Sequence, residues 1–206
     1  MLRYLALIVS VVFQPLLMPT LVFGLLLFAV PQATSIPDEF KNRIFFLIVL
    51  STLLIPMITI IGLRLSGAVK SLHMPEVKDR RVPFFITTLY FLVTTWFLYQ
   101  KPDFDPLLWL GMAVICVAVV TLTLVSFVWK MSAHMTGLGG LLSVVLVLGN
   151  KFPTFEVLYP LLGALVLCGI VASSRLYLQA HRPLEVYVGW VVGFLICWIG
   201  FNWIWA

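Results

Sequence analysis

Ser174-Arg175-Leu176-Tyr177-Leu178-Gln179-Ala180-His181-Arg182-Pro183-Leu184-Glu185 stands between two apolar runs, residues 155–173 and 186–205. Each run approaches the ~20 residues that cross a bilayer as a helix. Arginine, histidine and carboxylate are costly to keep at a membrane border, so the segment reads as a working surface between two membrane helices. Arg175 offers a planar fork of donors suited to phosphate. His181 is a candidate nucleophile. Glu185 follows four residues later, on the same helical face, where it can orient the imidazole.

The rest of the chain has the same character. Of its 206 residues, 62% are hydrophobic and only 10% charged, with a mean hydropathy of +1.12. A soluble domain carries roughly 25% charged residues. The expectation is therefore an all-α polytopic transmembrane bundle of six to seven helices, forming one unit over residues 1–206 with no separate soluble domain. A β-barrel is excluded because the runs are continuously apolar instead of alternating.

Hydropathy gives seven spans: 4–30, 44–65, 84–100, 107–129, 135–149, 155–173 and 186–205. The fifth covers only ~22 Å at 1.5 Å per residue, short of a ~30 Å hydrocarbon core. Its polar start, back to Lys130, is expected to dip into the membrane. The first run lacks a small-x-small cleavage site and is read as a retained helix kinked at Pro15 and Pro19. Cys116, Cys168 and Cys197 sit within apolar runs as packing residues, with no metal-ligand spacing. Tryptophans and tyrosines near span ends, such as Trp96, Tyr99 and Trp203, read as interface anchors.

Three loops hold the remaining polar chemistry. One contains Lys70, His73, Glu76, Lys78, Asp79, Arg80 and Arg81. The second contains Lys130, Ser132 and His134, and the third Arg175, His181 and Glu185. Two spans separate each loop from the next, so all three share one membrane face, and every histidine lands there. The net charge of +5 then reflects orientation and phosphate or anionic-lipid contacts, and no nucleic-acid partner is expected. Nine of the thirteen Lys and Arg residues fall on the motif face. Setting aside four phosphate-ligand candidates leaves five against four. The lean is to a cytoplasmic site in a bacterial cell (inner) membrane.

Ser174-Arg175, five further residues, His181, three more and an acid resemble the third signature of the type-2 phosphatidic acid phosphatase superfamily, with Glu185 where that family usually has Asp. Lys130-Met131-Ser132-Ala133-His134 resembles its second signature, in the subset carrying Lys-x-Ser-x-His. The first signature, Lys-x6-Arg-Pro, is matched in residue types but not in spacing by Lys78-Asp79-Arg80-Arg81-Val82-Pro83. Lys78 and Arg81 are chosen as its ligands, with Arg80 as the substitute. Gly137, Gly139 and Gly140 are expected to serve close helix packing in preference to phosphate approach.

The resemblance implies metal-independent hydrolysis of a phosphate monoester or pyrophosphate, with no cofactor. His181 would form a phosphohistidine, Glu185 would fix its tautomer, and His134 would be the general acid and base. Arg175, Lys130, Ser132, Arg81 and Lys78 would hold the phosphate oxygens. A lipid phosphate or polyprenyl (pyro)phosphate is the expected substrate, because no part of the chain reaches far into water. Two other readings remain: a transferase passing the phosphoryl group to another acceptor, and a non-catalytic transporter or scaffold.

Overall fold

The computed structural model describes residues 1–69, 77–102 and 104–206. Among these the chain is all-helical, and seven helical stretches are long and apolar enough to cross a membrane. The fold is thus a polytopic helical bundle and the protein an integral membrane protein. The first stretch is built from α1 (Leu2–Val12), a 3₁₀ turn (Pro15–Leu17), α2 (Met18–Gly24) and a π turn (Leu25–Ala29). The second joins α3 (Asp38–Val49) to α4 (Ile55–Leu65) through a π turn at Leu50–Leu54. Single helices follow: α5 (Val77–Tyr99), α6 (Pro106–Val125), α7 (Ala133–Lys151), α8 (Leu158–Tyr177) and α9 (Pro183–Ile204).

The fifth span is not short: α7 has 19 residues, ~28 Å at 1.5 Å per residue, and it is the most enclosed of the seven. In α7, 72% of the most apolar window is buried inside the protein, against 22–44% for the other six spans. The main partner of α7 is α9, and the approach is close because both faces are glycine. A Cβ on Gly193 would collide with the Thr136 carbonyl, and one on Gly139 with the Trp190 carbonyl. Without lipid-facing hydrophobic drive, such backbone proximity is a main source of membrane-helix association. Gly137 and Gly140 likewise face Met18 and Cys197, so the glycines serve packing as expected. The contact also registers the two helix starts, since the Ser132 N–H donates to the Glu185 carbonyl at 3.1 Å.

Two departures from the hydropathy reading bear on the site. The polar stretch before Pro83 is not all loop: α5 begins at Val77 and runs through Pro83, a placement that membrane helices tolerate. Lys70, His73 and Glu76 lie outside the described residues. The first stretch is broken at Phe13–Gln14, ahead of Pro15, and not merely kinked. Proline at 15 supplies no N–H to continue the α1 ladder.

At the end of the bundle away from the motif loops, Asp105 ties two segments together. Its carboxylate caps α6 through the Leu107 N–H at 2.9 Å, and accepts from the Ser35 N–H, the Ser35 hydroxyl and the Thr34 hydroxyl. Partial burial opposes the charge, but these bonds outweigh it and hold the carboxyl below its usual range. Asp105→Ala is expected to lower stability by ~1–2 kcal/mol, the scale of a lost cap. Because the folded-state pKa is depressed, this stabilisation is present above the unfolded carboxylate value and fades as pH falls below it. Thermal unfolding of wild type and variant at pH 7 and pH 4 should show the gap narrowing at pH 4.

Candidate active site

The position of His181 follows from how α8 ends and α9 begins. The Ala180 N–H donates to the Arg175 carbonyl at 3.1 Å and the Gln179 N–H to that of Leu176 at 2.9 Å. With Gln179 at φ +51°, this is a Schellman closure that turns the chain back on itself. Pro183 then starts α9. Glu185, in its first turn, reaches back to the Arg182 N–H at 3.2 Å, half of a capping box, where the helix N-terminus favours a negative charge. His181 is pinned between these two ends and is buried.

Its ring hydrogen bonds fix the tautomer. Nδ1 lies 2.9 Å from Glu185 Oε2 and 3.1 Å from the Lys130 carbonyl. Ionised carboxylate and carbonyl only accept, so Nδ1 carries the hydrogen and Nε2 presents a bare lone pair. That lone pair faces Arg80, whose Nη2 is 3.5 Å away, at the outer limit of a hydrogen bond. Arg80 is only 4% exposed, and its Nη1 donates to the Met131 carbonyl at 3.3 Å. Arg175 is buried nearby with its Nε lacking a hydrogen-bond partner, and the Ser132 hydroxyl is buried and unpartnered too. A buried donor left unmade costs ~1–3 kcal/mol. Two arginines, one with an unpartnered N–H, lining one space with His181 are the furnishings of an anion site.

His134 approaches from the start of α7. Its Nε2 lies 2.9 Å from the Ser10 carbonyl, which only accepts, so Nε2 carries the ring hydrogen. The break before Pro15 accounts for this contact. Ser10 sits one turn from the end of α1, where carbonyls lose their helical partners.

The electrostatics keep His181 unprotonated. Burial first, then Arg80, Arg175 and Lys130, push it from its ordinary 6.5 to about 3, although the bond to the Lys130 carbonyl works the other way. Lys130 is itself lowered, first by burial and then by Arg80 and Arg175, with Glu185 opposing. His181 forms the wall between two spaces. One is a cavity of about 410 Å³ inside the bundle that Arg80, His134 and Arg175 also line. The other is an open polar mouth lined by Lys130, Gln179, Arg182 and Glu185.

Of the residues selected from sequence, His181, Glu185, His134, Arg175 and Lys130 gather here, Ser132 is buried beside them with its N–H on the Glu185 carbonyl but lines neither space, and Lys78 and Arg81 are not part of the group. Lys78 is exposed and lines neither space. Arg81 points away. Its guanidinium donates to the Phe127 carbonyl at 3.1 Å and lies over the Phe127 ring. The substitute, Arg80, occupies the site in its place. The reason is helical phase: the buried positions of α5 include Arg80, Pro83, Thr87, Phe91, Thr94 and Leu98, steps of three and four that pass through 80 and skip 81. The stripe reaches back to 80 only because α5 begins at Val77, seven residues before the apolar run. The carbonyls of Ser10, Lys130 and Met131 were not visible in the sequence, because backbone acceptors leave no mark on residue type.

Residues 125–206 match the family model of the PAP2 superfamily. The matched stretch holds Lys130, Ser132, His134, Arg175, His181 and Glu185, while Arg80 and the first helix lie outside it. The match supports phosphatase-type chemistry in general. No curated protein and no solved structure matches the chain.

Proposed function

We propose that the chain is a membrane-embedded lipid phosphatase that cleaves a phosphate monoester or pyrophosphate through a phosphohistidine on His181, without a metal ion. One observation carries this reading: a buried histidine whose Nδ1–H is held by two acceptors aims a bare Nε2 at a space flanked by two buried arginines. All 206 residues act as one unit, since Arg80 from the third span and Ser10 from the first reach the same place.

The phosphate would sit between Arg80 and Arg175, with the Ser132 hydroxyl and Lys130 alongside. These cations match the charge that spreads over the equatorial oxygens as the transition state forms. The Nε2 lone pair attacks phosphorus and the bond to the leaving oxygen breaks, its electron pair staying on that oxygen. His134 keeps its Nε2–H on the Ser10 carbonyl, takes a second proton on Nδ1 from the incoming phosphate monoanion, and as the imidazolium passes that proton to the leaving oxygen. Glu185 stabilises the cationic phosphohistidine through Nδ1–H. Water then gives a proton to the free Nδ1 of His134, its oxygen bonds to phosphorus, and the P–N pair returns to His181; the proton on His134 leaves with the phosphate. Inorganic phosphate leaves with both histidines restored.

The metal-independent part rests on the donor set. Among the described residues no three of His, Cys, Asp and Glu gather, and Glu185 already holds His181 and the Arg182 N–H. The test is inorganic phosphate release by the detergent-purified protein from phosphatidic acid or a polyprenyl phosphate. Turnover unchanged by EDTA and blocked by vanadate, which mimics five-coordinate phosphorus, is expected. Activity lost in EDTA and restored by Mg²⁺ would reject the cation-only cradle.

A further inference from the structure

The 410 Å³ cavity is apolar along most of its length and cationic at one end. Its walls come from α1 (Leu7, Val11), the 3₁₀ turn (Leu16), α4 (Met57, Ile60, Ile61), α5 (Phe84, Phe91) and α6 (Val119, Leu122). Its cationic end is the site itself, Arg80, Arg175, His134 and His181. Two lining residues, Val11 and Ile61, are also 68% and 42% exposed. Both lie in spans long and apolar enough to cross a membrane, so on this side the cavity wall is shared with the outer surface of α1 and α4.

We infer that this cavity takes the substrate's leaving alcohol and its single apolar chain, so that the enzyme selects one-chain lipid phosphates, drawn in sideways between α1 and α4. The inference rests on the phosphatase reading and deepens it. His134, the proton donor to the leaving oxygen, lines the cavity and not the polar mouth, whereas Lys130 lines the mouth and not the cavity. In an in-line displacement by His181 the leaving oxygen lies on the side of its proton donor. The leaving alcohol therefore points into the cavity, and the mouth is left for water to enter and phosphate to depart. Size sets the chain number. At ~30 Å³ per water-sized group, a cavity of about 410 Å³ holds on the order of a dozen methylene-sized groups, one chain's worth and not two. The buried, unpartnered Ser10 hydroxyl also lines this space. It gives a polar anchor near His134 for an oxygen close to the cleaved bond.

The test uses the purified full chain with butyl phosphate, dodecyl phosphate and a diacylglycerol phosphate, and two cavity-filling variants on opposite walls, Ile60→Trp and Val119→Phe. For wild type, kcat/KM should rise from butyl to dodecyl phosphate and fall for the two-chain lipid, each on the order of tenfold or more, the scale of pocket-based discrimination. Each variant should lose about tenfold more on dodecyl phosphate than on butyl phosphate, the excess appearing chiefly in KM. Equal losses on butyl and dodecyl phosphate, or no loss on either, would overturn the chain assignment while leaving the phosphatase reading intact. Wild-type turnover of the two-chain lipid equal to that of dodecyl phosphate would overturn the one-chain claim. Absence of phosphate release from all three substrates would remove the phosphatase reading, and this proposal with it.

Discussion

His181→Asn is expected to abolish phosphate release, by about 10⁵-fold or more, on the scale seen when a covalent nucleophile is removed. Asparagine keeps a polar group in the pocket but has no ring nitrogen to bond phosphorus. Circular dichroism should be unchanged, because α8 and α9 are set by their own caps and by the glycine contacts with α7. Glu185→Gln gives the contrast. An amide in place of the carboxylate can donate to Nδ1 and so favour the wrong tautomer, which in a comparable triad costs about 10⁴. Here the Lys130 carbonyl still accepts from Nδ1–H, so the loss should fall toward the lower end of roughly 10²–10⁴. KM should move little. Acid quench with labelled substrate should trap phosphohistidine in wild type and none in His181→Asn. A His181→Asn protein retaining near-wild-type turnover would sink the nucleophile assignment.

The pH dependence follows from the same residue. kcat/KM reports the free enzyme, in which His181 is pushed to about 3. The neutral form that attack requires is thus retained as pH falls through 6.5, and is lost only near 3. Stability behaves differently. The unfolded chain takes up this proton near 6.5 and the folded chain near 3, so between those values the unfolded state binds more protons and stability declines as pH drops. Denaturant midpoints at pH 7 and pH 5 should show this decline, and His181→Asn should reduce it.

Much of this architecture was legible in the residues. Long apolar runs define membrane helices, and the even number of spans between polar loops put Lys130, Arg175 and His181 at one end. The third-loop spacing placed Glu185 beside His181, and the extra methylene of Glu over Asp does not carry the carboxylate past the imidazole. What was not legible depends on phase and on backbone. Hydropathy treats residues before Pro83 as a polar break, because composition averaged over a window hides that Val77–Val82 already follow the helical turn of α5. Once that turn is recognised, Arg80 and Arg81 differ by about 100° around the axis and cannot face the same site. The Ser10 contact needed more: the freed carbonyl arises from a helix break, and its partner lies 124 positions away in the chain. No local pattern encodes a pairing at that separation.

The choice between the two arginines carries the other large effect. Arg80→Ala should lower kcat/KM on the order of 10³–10⁵, the range found for an arginine that stabilises a phosphoryl transition state. Arg81→Ala should change it by about threefold or less, as for a surface residue away from the chemistry. Arg80→Lys should recover little, since an ammonium cannot both hold the Met131 carbonyl and present a fork to the phosphate. A purely structural role for Arg80 would lower thermal stability and activity together and leave vanadate affinity of the surviving folded fraction unchanged. A direct role in the cradle predicts that vanadate affinity falls with turnover. Isothermal titration with vanadate and steady-state assays on the three variants separate these. If Arg81→Ala were as damaging as Arg80→Ala, the α5 phase that turns 80 inward and 81 outward would be wrong. If Arg80→Ala kept its activity, Arg175 alone would suffice as the guanidinium of the cradle, and the buried pair of like charges beside His181 would need another explanation.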